Sequence, residues 1–314
     1  MREDLLKPIV VVGSINIDLV VRTPQIPKRG ETTTGHTFQT FFGGKGANQA
    51  VGIAKLGYAV SMIGKVGSDS FGDQLLTELM REGVNVEAVT RAPGPSGIAV
   101  ITTEDSAENT IIVVPGANGK IRPSDIESNV GVLRSAAMVL TQLEIPMDTV
   151  CALAQICQRR DVPLVLDPAP AAELSAELLQ CLSWLTPNET ELLQLTQTNR
   201  EVKDEGEALE LAESLMSRGA KNILLKLGGK GSYLATADGV RKWNCAMPVI
   251  AKDTTAAGDA YNAAFAVALC EGRSAEDAAQ FASAAAAISV MREGAQPSLP
   301  NRQEVDNFLV KERC

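Results

Sequence analysis

Residues 9–13 read Ile-Val-Val-Val-Gly, a run of β-branched side chains that ends in glycine. A strand that is apolar on both faces is typical of the interior of a parallel sheet, because helices cover both of its sides. Downstream, apolar segments of strand length alternate with segments of helical length. This alternation predicts an α/β fold, with a doubly wound, mainly parallel sheet flanked by helices. The expected strands are 60–64, 137–143, 163–168, 184–191 and 222–227, and the expected helices are 69–82, 147–160 and 205–218.

Four further segments have strand character but do not follow this alternation. Because helices do not separate them in the same way, we expect them to form a small separate β-sheet that covers the functional site as a lid. We expect residues 1–314 to form one α/β domain that carries this lid. The four segments are approximately 15–21, 33–41, 97–103 and 109–115.

The composition disfavours several classes of protein. With 45% hydrophobic and 21% charged residues, the chain has the balance of a soluble protein with a packed core. Its net charge of -9 disfavours a nucleic-acid partner. Residues 1–8 contain no long apolar run and no membrane-length apolar segment occurs, so we expect neither a signal peptide nor a membrane span. The 6 cysteines include no C-x-x-C pair, which argues against a zinc site or a disulfide framework and indicates a reducing, cytoplasmic environment.

His36 is the only histidine of the chain. A Ser-His-Asp or Cys-His mechanism would have to pass through it. It lies in the strand-like sequence Gly-His-Thr-Phe-Gln without an obvious partner, so we expect a surface or half-buried strand residue. Any general base is therefore expected to be a carboxylate.

Residues 253–262 read Asp-Thr-Thr-Ala-Ala-Gly-Asp-Ala-Tyr-Asn and precede an alanine-rich helical sequence. Small residues let a ligand approach the backbone, and a helix N-terminus offers free N–H groups and the positive end of the helix dipole. The stretch is a candidate anion site with Asp259 beside the anion. The same residues also fit an ordinary capped core helix with Asp259 in its first turn, and this stretch alone does not decide between the two.

A glycine-rich turn, Gly43-Gly44-Lys45-Gly46, precedes a second helical sequence. Its backbone could approach a ligand, although a tight turn before an ordinary helix is the more common use of such a sequence. Other polar residues follow the ends of the predicted strands, and ligands of open α/β sheets bind at the carboxyl ends of strands. We therefore expect one site at this edge. The residues placed there are Asn16, Asp18, Glu144, Asp167, Asn188, Glu191, Gly228, Gly231, Asp253 and Asp259.

Four motifs give the chain a resemblance, over nearly its whole length, to the ribokinase-like family of sugar kinases, of the phosphofructokinase-B type. They are Gly-Ser-Ile-Asn-Ile-Asp at 13–18, Phe-Gly-Gly-Lys-Gly-Ala-Asn-Gln-Ala at 42–50, Thr-Pro-Asn-Glu-Thr-Glu at 186–191 and Asp-Thr-Thr-Ala-Ala-Gly-Asp at 253–259. The resemblance implies ATP-dependent phosphorylation of D-ribose at O5, which gives D-ribose 5-phosphate. It also implies that Asp259 is the general base and that backbone N–H groups form an anion hole beside it.

The resemblance further implies a role for each of several residues, with ATP, Mg²⁺ and K⁺ as cofactors. The anion hole would be formed by Ala256, Ala257 and Gly258. The sugar-binding set would be Asn16, Asp18, Gly43, Gly44, Lys45, Asn48, Glu144 and Asp259. The ATP-binding set would be Asn188, Lys226, Leu227, Gly228, Gly229, Lys230, Gly231, Gly258 and Ser283. Glu191 would organise Mg²⁺ with its waters, and K⁺ would bind at Asp253, Thr255, Ser289, Arg292, Gly294 and Ser298.

The chain departs from the family pattern at three places. Ala256 occupies the first glycine position of the usual Gly-Ala-Gly-Asp, but its backbone N–H is retained, so we expect a functional anion hole. Ala260 and Tyr261 replace the Thr and Phe that commonly follow the catalytic aspartate. Ser283 stands where relatives often have His or Asn near the adenine, which leaves the nucleotide preference open.

Two alternatives to a ribose kinase stay open. One is a kinase for another small sugar, such as 2-deoxyribose. The other is a sugar- or nucleotide-binding regulator without catalysis, against which the intact Asp259 argues, since a binding protein has little need of a base at an anion hole.

Sugar and ATP are the implied small-molecule partners, and the lid points to a protein partner as well. A strand layer with an apolar face that stands away from the main sheet commonly needs a partner to cover it. The resemblance likewise implies a homodimer that forms through the β lid.

Overall fold

Thirteen strands occur in the computed structural model, which describes residues 7–106 and 108–312. They are β1 (Ile9–Val12), β2 (Asn16–Thr23), β3 (Thr37–Gly43), β4 (Val60–Gly67), β5 (Asn85–Ala92), β6 (Gly97–Glu104), β7 (Asn109–Val114), β8 (Met138–Gln142), β9 (Leu164–Asp167), β10 (Trp184–Leu185), β11 (Ile223–Lys226), β12 (Ser232–Ala235) and β13 (Arg241–Asn244). Nine of them form one sheet in the order β13-β12-β11-β10-β9-β8-β1-β4-β5. The pairs from β5 to β11 are parallel, and β12 and β13 add an antiparallel edge. The predicted mainly parallel sheet is confirmed.

Helices cover both faces of this sheet. They are α1 (Lys45–Lys55), α2 (Ser70–Arg81), α3 (Pro123–Ser128), α4 (Val130–Arg134), α5 (Met147–Arg159), α6 (Ala176–Cys181), α7 (Glu189–Leu195), α8 (Glu205–Ser217), α9 (Ala257–Cys270), α10 (Ala275–Val290) and α11 (Arg302–Glu312). Ile9 and Val11 of β1 belong to a core with α1, α9 and α10. Val10 and Val12 belong to the opposite core with α5 and α8. Successive strand side chains point to opposite faces, so the β-branched run is buried on both sides, as predicted.

The four segments expected to form a separate sheet do so, in the order β3-β2-β6-β7. β2 pairs antiparallel with β3 and parallel with β6, and β6 pairs antiparallel with β7. Residues 33–36 of the predicted second segment lie outside β3, which begins at Thr37 and extends to Gly43. The glycine at the end of β3 leads directly into α1, so this small sheet is tied to the edge of the main one.

The predicted strand over 184–191 is wrong over most of its length. β10 contains only Trp184 and Leu185, and α7 begins at Glu189. Asn188 caps this helix, because its side chain accepts from the N–H of Glu191 while the Glu191 carboxylate accepts from the N–H of Asn188. This reciprocal capping box, rather than a sheet ladder, satisfies the backbone of the segment.

His36 is exposed and precedes β3, so it is a surface residue but not a strand residue. Its Nε2 lies 3.5 Å from the carboxylate of Asp105.

Within residues 7–106 and 108–312, no helix is long and apolar enough to cross a membrane. Residues 1–6, on which part of the signal-peptide prediction depends, and Cys314 lie outside the described residues. The cysteines within the described part, Cys151, Cys157, Cys181, Cys245 and Cys270, are free thiols.

Candidate active site

The carboxyl edge of the main sheet has a topological switch point at β1. From β1 the chain builds β4 and β5 on one side and then β8 to β11 on the other. Ligands of open α/β sheets bind at such a point. The loop after β1 meets α1 there, since the Ala47 N–H donates to the Ser14 carbonyl at 2.9 Å. The loop after β8 joins them, because the Ser14 hydroxyl donates to Glu144 at 2.5 Å.

The residues predicted to bind sugar come together where the small sheet meets this edge. Asn16 on β2 lies opposite Gly43 on β3. A Cβ atom at Gly43 would overlap the carboxyl oxygens of Asp18, so glycine makes room for this carboxylate. Gly44 follows with φ of 88°, which favours glycine, and turns the chain into α1.

Acidic groups dominate this part of the site. Burial, together with the nearby charges of Glu144 and Asp259, raises the pKa of Asp18 to about 7. Glu144 also accepts from the backbone N–H of Lys45 at 3.3 Å. Burial alone would lower the pKa of the Lys45 ammonium, but the surrounding carboxylates, Asp259 foremost, outweigh burial and raise it. Lys45 is therefore the cation that balances this acidic cluster.

Asp259 lies in the first turn of α9 and is 5% exposed. Its Oδ2 accepts from Asn48 Nδ2 at 2.9 Å, and its Oδ1 accepts from Gln49 Nε2 at 3.1 Å. Burial raises its pKa to about 6; Lys45 opposes this change and Asp167 adds to it. The side chain is therefore mostly ionised at neutral pH and able to accept a proton.

The residue before α9 has an unusual backbone. Ala256 is the N-cap of the helix and adopts the left-handed conformation, with φ of 59° and ψ of 11°. The N–H of Ala257 donates to the Thr254 carbonyl at 3.2 Å and closes the turn. In the part of the chain that the structure describes, the N–H groups of Ala256 and Gly258 have no acceptor. Two of the three predicted anion-hole donors are therefore free to bind an anion.

A cavity of about 620 Å³ extends from Asp259 along the carboxyl ends of β9 to β11. Most of the residues predicted for ATP line it. They are Asn188, Lys226, Gly228, Gly229, Gly231, Gly258 and Ser283. Lys45, Glu191, Ala256 and Ala257 also line this cavity. Sequence reasoning missed its apolar wall, formed by Met247, Pro248, Val249, Ala286, Ala287 and Val290.

Two residues of the predicted ATP set lie elsewhere. Leu227 is buried in the core beneath α8 and is 3% exposed. The Lys230 ammonium donates to Glu189 at 3.0 Å and to Glu201 at 3.0 Å. It therefore points away from the cavity, although its neighbours Gly229 and Gly231 line it.

A buried ion pair forms the floor between the two binding regions. Lys226 donates to Asp167 at 2.8 Å, and the second oxygen of Asp167 accepts from Gln49 at 3.1 Å. The sequence places Asp167 at a strand end without indicating a role for it, and it gives no signal for Gln49. The signal for Asp167 was a carboxylate that directly follows the apolar run 163–166.

The arrangement around Glu191 fits an ion that retains its water. Glu191 faces the cavity while both of its oxygens accept from Asn188, one from the backbone and one from the side chain. Burial raises its pKa, and Lys226 opposes this change. Among residues 7–106 and 108–312 no group of three or more His, Cys, Asp or Glu side chains could hold a metal.

The six residues predicted for a monovalent cation lie together beside the start of α9. Asp253 accepts from the N–H groups of Thr255 and Gly294, each at 2.8 Å. The hydroxyls of Ser289 and Ser298 are 3.1 Å apart. The N–H of Arg292 donates to the Ser289 carbonyl at 3.0 Å. The cluster is rich in oxygen donors, which are the ligands that hard cations prefer.

Comparison with known proteins identifies the family of this chain. A model of the pfkB family carbohydrate kinases matches residues 6–302. The chain therefore belongs to the pfkB family of carbohydrate kinases, and the resemblance found in its motifs is confirmed.

Within the family, the chain is similar to enzymes that act on pentoses. It is 40% identical over 306 residues to a ribokinase of Haemophilus influenzae, with 96% of this chain and 98% of the relative covered. It is 36% identical over 303 residues to a deoxyribokinase of Salmonella typhimurium, with 96% and 98% covered. The solved structure of Arabidopsis thaliana ribokinase complexed with ribose and ATP superposes with a TM-score of 0.90, at 37% identity, with 96% of this chain and 98% of that chain covered.

Proposed function

We propose that this protein phosphorylates D-ribose at O5 with ATP and gives D-ribose 5-phosphate. The observation that carries the proposal is the position of Asp259. Its carboxylate accepts from Asn48 of the sugar-binding set and also lines the cavity of the ATP-binding set. A base at this boundary lies where an acceptor hydroxyl and a terminal phosphate would meet. The ribokinase relatives, one of them solved with ribose and ATP, support the same substrates.

The chemistry follows from this placement. The Asp259 carboxylate takes the proton of the O5 hydroxyl, O5 forms a bond to the γ-phosphorus, and the bond from that phosphorus to the β,γ-bridging oxygen breaks as ADP leaves. Negative charge on the transferred group faces the free N–H groups of Ala256 and Gly258 at the start of α9. Lys45 and Lys226 line the same cavity and add positive charge there.

Mg²⁺ would neutralise the phosphates of bound ATP. In the proposal, Glu191 holds water molecules of the ion and Asn188 fixes the direction of that carboxylate. Glu191 is thereby a residue that orients water, and its own oxygens need not contact the metal.

A monovalent cation, K⁺, is proposed for the cluster that contains Asp253, Ser289 and Gly294. Arg292 would contribute its carbonyl, because its guanidinium is paired with Glu304. A bound cation would hold the segment 292–298 and the turn before α9 together. Exchange of K⁺ for Na⁺ in the assay is expected to lower kcat, and a kcat that does not respond would contradict this site.

A homodimer is proposed through the small sheet, which acts as the lid in one α/β domain. All six residues of β7 are exposed, and several are large and apolar. Phe38 is 63% exposed and Ile112 is 65% exposed. Covering these side chains with a second copy would remove apolar surface from water. Sedimentation at micromolar concentration should show a dimer, and a monomer there would argue against it.

The acceptor sugar is the part of the proposal that most needs an experiment, because a deoxyribokinase is among the relatives. We expect ribose to give the highest kcat/KM in a coupled assay of ADP release over ribose, 2-deoxyribose, fructose and nucleosides. A preference for 2-deoxyribose would change the substrate but retain the kinase. Tight sugar binding without any turnover would instead support a regulator.

The pH dependence of kcat/KM for the sugar should report two carboxyl groups. An ionised Asp18 can accept from two sugar hydroxyls, and an ionised Asp259 can accept the proton. Their pKa values are raised to about 7 and about 6, so both must lose protons as the pH rises for full activity. A plot of log kcat/KM against pH should rise with a slope of about 2 in acid and about 1 between these values. Asp18→Asn should lower kcat/KM and leave a slope of about 1 below the pKa of Asp259 and no slope above it, whereas an unchanged profile would exclude Asp18.

A further inference from the structure

We propose that Gln49 is a positioning residue, which orients Asp259 for proton transfer, and that Gln142 in turn orients Gln49. The proposal rests on the proposed function, since it concerns the general base of that reaction. Neither glutamine belongs to the sugar-binding or ATP-binding sets.

Gln49 bridges two buried carboxylates. It lies on α1, one residue after Asn48, and is 1% exposed. Its Nε2 donates to Asp259 at 3.1 Å and to Asp167 at 3.1 Å. Since Asn48 holds the other oxygen of Asp259, consecutive residues of one helix fix both oxygens of the base. Any rotation of the Asp259 carboxylate would break at least one of these bonds.

The direction of the Gln49 amide is fixed by Gln142. The Oε1 of Gln49 accepts from Gln142 Nε2 at 2.7 Å, which leaves the Gln49 nitrogen toward the two carboxylates. The Gln142 side chain is fully buried at the end of β8. A Cβ atom at Gly13 would overlap its Oε1, so the end of β1 is shaped to admit this amide. A fully buried chain of amides is expensive unless its hydrogen bonds are made. Among the described residues the Oε1 of Gln142 has no hydrogen-bond partner, and the bonds that the two amides do make lead to the base.

The charges around Asp259 give Gln49 an electrostatic role as well. The hydrogen bond from Gln49 favours the ionised carboxylate and lowers its pKa, whereas the charge of Asp167 raises it. Without the amide nitrogen between them, the two carboxylates would repel each other with less compensation. The other charged groups that face this pair are Lys45 on α1, Asp18 on β2, Glu191 on α7 and Lys226 on β11.

The test is the pH profile of kcat for wild type, Gln49→Met and Gln142→Met, with the sugar that wild type phosphorylates. Methionine is unbranched and similar in length but donates no hydrogen bond. Gln49→Met should lower kcat by about 10-fold to 100-fold and move its acid limb up by about one pH unit, with little change in KM for ATP. Gln142→Met should cause a smaller change in the same direction. The double variant should be no worse than Gln49→Met, because the two residues act in series.

Thr149→Val is the matched control for loss of a buried hydrogen bond. Thr149 is fully buried on α5, in the opposite core, and its hydroxyl donates to the Ile121 carbonyl at 3.0 Å. This variant should lower Tm without moving the acid limb of the pH profile.

The proposal is overturned if Gln49→Met keeps the wild-type kcat and the wild-type acid limb while Asp259→Asn is inactive. It is also overturned if Gln49→Met loses activity with an unmoved limb. If Gln49→Met does not fold, a Gln142→Met variant with wild-type kcat and limb overturns it equally. Turnover retained by Asp259→Asn would instead remove Asp259 as the base and leave the kinase activity in place, whereas a wild type that phosphorylates no sugar would remove the proposed function itself.

Discussion

Asp259→Asn is expected to lower kcat by about 10²-fold to 10⁴-fold, the usual contribution of a positioned general base. Asparagine has nearly the shape of aspartate but cannot accept the proton of the sugar hydroxyl. The KM values for ATP and sugar should change little, because the change removes proton transfer and leaves the rest of the site in place. Steady-state kinetics at saturating Mg²⁺ and K⁺ would measure the effect. A variant that keeps most of its turnover would show that Asp259 is not the base.

The same variant should remain folded, which makes the loss of kcat interpretable. Burial raises the pKa of Asp259 from 3.8 to about 6, so the folded state loses stability as the pH rises through about 6. This costs about 3 kcal/mol at neutral pH, and a neutral amide avoids that cost. Against it, the amide has only one oxygen, so either Asn48 or Gln49 loses an acceptor, which costs about 1–3 kcal/mol. The two changes are of similar size, so we expect a Tm close to that of wild type.

The polar residues that could be placed at the sheet edge without the resemblance share one property: they stand where a predicted strand or helix begins or ends. Parallel strands deliver their carboxyl ends to one edge, so Asn16, Glu144 and Asn188 could be placed together before any coordinates. Gln49 and Gln142 could not, because a glutamine inside an apolar helix or strand gives no periodic signal of its own. Their importance depends on contacts between residues that are far apart in the chain, such as the bond that joins Gln49 to Asp259.

Other features of the structure could not be predicted from the sequence, each for a different physical reason. The apolar wall of the cavity, around Met247 and Val249, lies in a segment without helix or strand and therefore without a period to detect. The apolar start of segment 184–191 predicts a strand, but the Asn188–Glu191 capping box starts a helix within it. The sequence shows that the N–H of Ala256 is retained. It does not predict the left-handed backbone there, because alanine is not a residue typical of positive φ.

The left-handed backbone at Ala256 predicts different effects on activity for two substitutions, Ala256→Gly and Ala256→Val. An alanine in the left-handed region costs about 1–2 kcal/mol, and glycine removes this cost but adds about 0.4–1 kcal/mol of unfolded-state entropy. We therefore expect Ala256→Gly to be neutral or more stable by about 1 kcal/mol, with kcat retained. A β-branched residue is a genuine outlier at positive φ, so valine should force the turn to rearrange. The N–H groups of Ala256 and Gly258 would then move away from the transferred phosphate, and kcat should fall by about 10²-fold to 10³-fold.

Asp161→Val separates this effect from strain in general. Asp161 also has positive φ, 53°, but it lies in the turn after α5, before β9 begins and so away from the carboxyl edge of the sheet. The control variant should lose stability comparably in thermal unfolding and keep its kcat. If Ala256→Val lost stability alone, like Asp161→Val, the turn before α9 would have no part in phosphoryl transfer. If instead kcat fell while sugar binding, measured by calorimetry, was unchanged, the left-handed alanine would be the element that aims the helix N-terminus at the phosphate.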